Sequence, residues 1–102
     1  MSKLVSVIVV TYNRVKKLDN CLKSIFKSDF SNFEVIVVDN GSKDNSIALA
    51  KGAGARVIID KRKGYGNALR RGIQEAFGKY IVMADGDDTY DFTKVGMFIS
   101  KL

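Results

Sequence analysis

Tyr80-Ile81-Val82-Met83-Ala84-Asp85-Gly86-Asp87-Asp88-Thr89-Tyr90-Asp91 is an apolar run that breaks abruptly into closely spaced carboxylates. A run that apolar reads as a strand buried on both faces, so the acids are expected where the strand leaves the core. Carboxylates this close repel one another, and they sit together at low cost only when a cation is shared among them or water screens them. Gly86 lets the backbone turn tightly enough to aim Asp85 and Asp87 at one hard cation such as magnesium or manganese. An acidic surface turn uses the same residue types. The stretch alone does not separate the two readings.

Upstream, the same strand-then-polar pattern recurs. Leu4-Val5-Ser6-Val7-Ile8-Val9-Val10 is a nearly continuous β-branched run that leads into Thr11-Tyr12-Asn13-Arg14. Val15, Leu18, Leu22, Ile25 and Phe26 follow at helical spacing, with Lys16, Lys17, Lys23 and Lys27 between them. A second strand is predicted over 33–38, ending at Asp39-Asn40-Gly41-Ser42-Lys43-Asp44; Ser42 or Asp44 can cap the short helix that runs towards Lys51, and Gly52 and Gly54 end it. Arg56-Val57-Ile58-Ile59 is the third strand, closing on Asp60 and a basic, glycine-containing loop over 61–66. The next helix is expected to turn Ala68, Leu69, Ile73, Ala76 and Phe77 inward and to end at Gly78. Residues 80–84 form the fourth strand, and beyond the acids Val95, Phe98, Ile99 and Leu102 are spaced as one further amphipathic helix.

Strands alternating with helices predict an α/β domain with a parallel sheet and right-handed crossovers. Each strand exits into a polar residue: Thr11, Asp39, Asp60 and Asp85. In open sheets of this kind the carboxyl ends of the strands line the ligand crevice, so these four positions are expected to converge. That convergence favours a ligand site over an accidental acidic turn.

The 102 residues allow one domain, spanning 1–102. The formal charge of +6 favours an anionic partner. Lys61-Arg62-Lys63 and Arg70-Arg71 are the densest basic clusters, and a solvated face accounts for them as readily as a ligand does. The acidic rim argues against nucleic acid as that partner. One cysteine and no histidine exclude an internal disulfide and a His/Cys zinc site, and Cys21 falls on the apolar side of its helix. The early apolar run is too short to span a bilayer and lacks a small-residue cleavage site, so the chain is expected to be cytoplasmic. Two nucleotide devices are excluded: there is no Gly-x-x-x-x-Gly-Lys-Ser/Thr loop, and Gly64-Tyr65-Gly66 has Leu69 where a dinucleotide fingerprint needs its last glycine. Without such a loop a bound diphosphate needs a metal, for which Asp85 and Asp87 are the grouped ligands. Asp39 can accept hydrogen bonds from a base or serve an Asx-turn.

Four stretches, taken in order, carry a resemblance: Val7-Ile8-Val9-Val10-Thr11-Tyr12-Asn13-Arg14, Val37-Val38-Asp39-Asn40-Gly41-Ser42-Lys43-Asp44, Gly64-Tyr65-Gly66-Asn67-Ala68, and Ala84-Asp85-Gly86-Asp87-Asp88-Thr89-Tyr90. Together they resemble the nucleotide-sugar half of family 2 glycosyltransferases with the Rossmann-like GT-A fold, across essentially the whole chain. Gly-Tyr-Gly with Asp-Asp-Thr-Tyr-Asp-Phe looks most like the branch that acts on polyprenyl or dolichyl phosphate. The resemblance implies a sheet order of 3-2-1-4 and a UDP- or GDP-linked sugar as donor. It implies nucleotide contacts from Thr11, Tyr12, Asn13, Asp39, Asp60, Gly64, Arg71 and Asp85. Asp85-Gly86-Asp87 corresponds to the family's Asp-x-Asp motif, with Asp85 and Asp87 on magnesium or manganese. Leu69 departs from the basic residue many relatives carry, which passes any phosphate role to Arg70 or Arg71. Relatives continue well past residue 102, where the acceptor site and catalytic base are expected, so the chain reads as a truncated donor-binding domain. Two alternatives stand beside this: a non-catalytic nucleotide-binding fragment that pairs as a homodimer through its exposed sheet edge, and a nucleic-acid-binding α/β domain. A lipid-phosphate acceptor would place the parent enzyme at the cytoplasmic face of a membrane.

Overall fold

A computed structural model describes residues 5–27, 32–62 and 64–85. Its elements alternate as β1 (Val5–Thr11), α1 (Val15–Phe26), β2 (Phe33–Asp39), α2 (Ser46–Gly52), β3 (Arg56–Ile59), α3 (Tyr65–Glu75) and β4 (Tyr80–Asp85). The four strands are all parallel, in the order β3-β2-β1-β4. This is the α/β architecture and the strand order expected from the sequence.

Alternate residues of the central strands feed two cores, because successive side chains point to opposite faces. Val5, Val7 and Val9 of β1, with Val35 and Val37 of β2, pack under Leu18, Cys21, Leu22 and Ile25 of α1 and Ala50 of α2. Ile8, Val10, Ile36 and Val38 pack on the other face, under Ala68 of α3. The switch of helices from one face to the other follows from handedness: the β1-α1-β2-α2-β3 crossovers step one way along the sheet, and β3-α3-β4 steps back.

Three sequence expectations are corrected. β4 is half exposed: Tyr80 and Val82 pack on the α1 side, whereas Ile81 and Met83 are open to solvent. It is an edge strand of the described sheet, and α3 lies over β1 and β2 instead. Ile73 and Phe77 do not turn inward either. The helix ends at Glu75 and Ala76 is extended, so Phe77 leaves the helical periodicity, and its ring lies 4.5 Å from the Arg56 guanidinium. The third correction is Gly78, which caps no helix. A Cβ there would sit 2.5 Å from the Ser6 nitrogen and 2.7 Å from the Val5 carbonyl carbon, so it is the close approach of two backbones that excludes a side chain. In α3, Gly72 plays a related part, since its Cβ would stand 2.6 Å from Cγ2 of Ile8.

Gly78→Ala is therefore expected to destabilise the fold by about 2–3 kcal/mol, a fall in Tm of roughly 10–20 °C. Gly52→Ala, whose new methyl meets nothing within 4 Å, is the control and should melt close to the parent protein. Equal melting temperatures for the two variants would refute the close-approach account. The predicted helix over Val95, Phe98, Ile99 and Leu102 lies outside the described residues.

Candidate functional site

The register brings the four polar strand ends to one edge. Thr11 stands opposite Asp39, Val10 opposite Asp85, and Ile59, the residue before Asp60, opposite Asp39. Loop hydrogen bonds continue the ladder: Asn40 N donates to the Thr11 carbonyl and Asp60 N to the Asp39 carbonyl, each at 2.9 Å. Neighbouring strands lie ~4.8 Å apart, so the ends of β2 and β4 are separated by ~10 Å across β1.

Asp39 serves the Asx-turn that its sequence position allows. It is fully buried, and Oδ2 accepts from Gly41 N at 3.1 Å and Ser42 N at 2.8 Å, closing a turn in which Gly41 takes a φ of 97°. Its Oδ1 is buried with no hydrogen-bond partner, as is the hydroxyl of the adjacent Thr11. A carboxylate oxygen and a hydroxyl, both buried without partners at paired strand ends, are costly unless a ligand or water completes them.

The loops after β1 and β2 are laced together. Asn13, in a left-handed conformation with φ 50°, donates its N–H to Ser42 Oγ at 2.7 Å and accepts from Lys43 N at 2.7 Å. Asp44 accepts from Val15 N at 3.2 Å and Ser46 N at 3.0 Å, thereby covering open N–H groups at the starts of both α1 and α2. The hydrogen bonds from Ser46, chiefly from its hydroxyl, hold the Asp44 carboxyl below its usual range. So Asp44, rather than Ser42, caps α2. The link from Asp44 to α1 was not legible in the sequence, because it joins residues far apart in the chain.

Asp60 is buried, and its carboxylate is fully engaged by its neighbour. Arg62 donates from its backbone N and Nε to Oδ1, both at 3.0 Å, and from its terminal nitrogen to Oδ2 at 2.6 Å. These bonds hold the Asp60 carboxyl at a pKa of about 2 and raise that of Arg62. Asp60 thus fixes Arg62 and does not present a free carboxylate to a ligand. With its amide nitrogen turned inward, Asn40 donates to the carbonyls of Asp60 at 2.8 Å and Arg62 at 2.7 Å, tying this loop to the end of β2. Arg71, expected on the nucleotide, pairs instead with Glu75 one turn along α3, Nε to Oε1 at 3.3 Å, while its charge is still felt at Asp60.

Between these loops lies a cleft of about 500 Å³ lined by Tyr12, Asn40, Gly41, Lys43, Lys61 and Gly64. The ring-bearing Tyr12 is 54% exposed, enough to offer a face to a planar ligand. Gly64, with φ 111°, precedes the first turn of α3, which begins at Tyr65 and so takes Gly66 into the helix. Asp85 is the last residue of β4, two strands from Asp39. Asp87, Asp88 and Lys63 lie outside the described residues. Among the described residues no three metal-binding side chains cluster.

Comparison with known proteins agrees with this arrangement. The chain is 39% identical over 94 residues to "Glycosyltransferase GlyG" of Streptococcus pneumoniae, an alignment covering 86% of this chain and 31% of GlyG. TarS of S. aureus (residues 1–349), solved with UDP-GlcNAc, superposes with a TM-score of 0.87 at 28% identity over 95% of this chain and 30% of that one. The mannosyltransferase PcManGT of Pyrobaculum calidifontis, solved with GDP-Man and Mn2+, gives a TM-score of 0.82 at 25% identity over 92% and 30% respectively. The chain thus spans about a third of the length of each. Residues 6–102 match the family model described as "Glycosyl transferase family 2", and the chain belongs to that family.

Proposed function

We propose that the strand-end cleft binds the nucleotide of a nucleotide-diphospho-sugar, and that the chain supplies the donor side of a glycosyl transfer. The observation that carries this reading is the pair of orphaned buried oxygens, the Asp39 carboxylate Oδ1 and the Thr11 hydroxyl, on the residues that directly precede Asn40 and Tyr12 of a cleft also rimmed by two lysines. A base with a ring N–H would complete Asp39, and Tyr12 would cover its face. With the base at the end of β2, the ribose and diphosphate extend across β1 towards Asp85, at the end of β4.

Asp85 and Asp87 would hold magnesium or manganese, since paired carboxylates with open positions suit a hard cation that also takes phosphate oxygens. When bound, that cation supplies charge neutralisation to the nucleoside diphosphate as its bond to the anomeric carbon breaks. The chain's own contribution is orientation: the laced loops at Asn13, Ser42 and Lys43 fix the base end before the donor arrives. The acceptor is read as a polyprenyl phosphate, which would set the full-length enzyme at the cytoplasmic face of a membrane; transfer to that lipid in preference to a free sugar checks it. A second reading, self-association without turnover, is favoured by Ile81 and Met83, exposed on the edge strand β4.

Thermal unfolding with UDP, GDP and their sugars, with manganese and again with EDTA, separates the two. A ligand at 100 times its Kd stabilises by about 2.7 kcal/mol, which raises Tm by several degrees in a domain of this size. The expected result is a manganese-dependent rise that differs between bases and disappears in Asp87→Ala. Absence of any rise would sink the donor-site reading and leave self-association in its place.

A further inference from the structure

We propose that the outer face of α1 and α2 docks on an anionic lipid bilayer, with its lysines on the headgroup phosphates and Phe26 in the interface. The inference gives the membrane placement proposed above a physical surface. It is tested without nucleotide, so it holds or fails apart from the donor site.

The periodicity of α1 builds the face. Leu18, Cys21, Leu22 and Ile25 are buried against the sheet. At about 100° per residue, Lys16, Lys23 and Lys27 fall within a stripe about 40° wide on the opposite side, about 16 Å long, with Lys17 at one flank. All four are exposed. Beside α1, on the same face of the sheet, α2 adds the exposed Lys51. Among the described residues Lys23 pairs with Asp19, Nζ to Oδ2 at 2.9 Å, and no carboxylate pairs with Lys16, Lys17, Lys27 or Lys51.

The charge is unevenly placed. Residues 15–27 and 46–52 hold five of the 17 basic residues and one of the 11 acidic ones, so the rest of the chain is close to balanced. On the side of α3 the exposed large side chains are instead apolar: Ile73, Phe77, Ile81 and Met83. A lysine stem lies along an apolar boundary while its ammonium reaches the phosphates, and each lysine held near an anionic surface strengthens partitioning by about fivefold. Phe26 stands on the shoulder of the stripe between Lys23 and Lys27, 43% exposed, where a ring can enter the headgroup boundary. Neither helix contains arginine, whose planar fork suits nucleic-acid phosphates best, so the face favours lipid.

Both helices start beside the cleft. Their first N–H groups share the Asp44 carboxylate, and Tyr12 and Lys43 of the cleft belong to the loops that lead into them. With this face docked, the cleft edge stands at headgroup level, where the phosphate of a lipid-borne acceptor arrives from the side.

The test is co-sedimentation of the protein with phosphatidylcholine vesicles, with and without phosphatidylglycerol, at low and high salt. Two double variants remove the same charge: Lys16→Gln/Lys27→Gln on the proposed face, and Arg70→Gln/Lys79→Gln on α3 and the connection after it. All four positions are exposed, so both variants should melt with the parent protein. The parent protein is expected to bind the anionic vesicles alone and to release them at high salt. The α1 variant should lose about 25-fold in partitioning and the control less than about twofold. The chain has no tryptophan, so Phe26→Trp reports on this face by itself; its emission should shift to the blue on anionic vesicles and be quenched by brominated lipid.

Equal losses in the two double variants would reduce the effect to net charge and overturn the proposal. So would unshifted Phe26→Trp emission from vesicle-bound protein, which would place another face on the bilayer. Tighter binding to a single-stranded oligonucleotide than to vesicles, lost in the α1 variant, would overturn it in favour of nucleic acid. No binding to anionic vesicles would also overturn it, and would leave the nucleotide measurements untouched.

Discussion

Asp39→Asn is expected to keep the fold and to lose about a hundredfold in affinity for its preferred nucleoside diphosphate. The amide oxygen can still accept from Gly41 N and Ser42 N, so the turn at the end of β2 survives. The amide nitrogen then occupies the place of Oδ1, which is buried and without a partner in the parent protein. A donor there faces the ring N–H of uracil or guanine, so a hydrogen bond to a charged acceptor is replaced by a repulsive contact that water cannot relieve. The same change offers a donor to a ring acceptor, so CDP or ADP should gain relative to UDP and GDP. Calorimetry on the variant checks both directions, and binding of UDP and GDP at parental strength would remove Asp39 from the base site. Asp39→Ala is a harsher change. It also strips Gly41 N and Ser42 N of their acceptor, and a lower Tm without ligand should separate its structural part from the binding loss.

The sheet was legible because its signal is local. Three β-branched runs and one apolar run, each ending in Thr or Asp, give four parallel strands whose bounds differ from the prediction by a residue at most. Convergence of Thr11, Asp39 and Asp85 follows from parallel order and register, which the pattern already implies. What the sequence did not show depends on which element lies over which. Ile81 and Met83 have the apolar character of core residues, yet α3 lies over β1 and β2 and leaves that side of β4 open. Asp60 looked like a fourth ligand, and only the structure shows Arg62 filling both of its oxygens. Gly78 looked like a helix stop. The constraint it answers comes from Ser6, at the other end of the chain.

The two ends of the sheet divide the work. At the carboxyl ends, a carboxylate oxygen of Asp39 and the hydroxyl of Thr11 are buried without partners, the feature on which the donor-site proposal rests. At the amino ends, polar groups of β1, β2, β3 and the α3–β4 connection join in one network, although Arg56 Nε within it is buried without a partner. Ser6 Oγ donates to Glu34 Oε2 at 2.6 Å, Phe77 N donates to the same oxygen at 2.7 Å, and Gly78 N donates to Ser6 Oγ at 2.7 Å. Arg56 reaches Glu34 Oε1 at 3.2 Å and also donates to the Glu75 carbonyl. No residue of this network was singled out from the sequence for such a role, because a lone Glu in a strand and a lone Arg at the next strand's start carry no spacing signal. Its consequence is mechanical: it pins the end of α3 and the start of β4, the strand that delivers Asp85 to the opposite edge.

Glu34→Ala is therefore expected to destabilise the protein by about 2–4 kcal/mol, since it leaves Phe77 N, Ser6 Oγ and a half-buried guanidinium without their shared acceptor. Glu34→Gln, which keeps the shape, should cost less and should change the response to acid. Burial alone would raise the Glu34 carboxyl, but the hydrogen bonds from Ser6 and Phe77 and the charge of Arg56 outweigh it and hold the pKa below the ordinary 4.5. With the folded value depressed, the unfolded chain binds the proton first. The stabilisation is complete above the unfolded pKa and is lost as pH falls through the folded one. Denaturant unfolding between neutral pH and pH ~3 should then show the gap between the parent protein and Glu34→Gln closing as the solution is acidified. Parallel curves through that range would mean that Glu34 is not held ionised by its partners, and that the amino-end network contributes packing without charge.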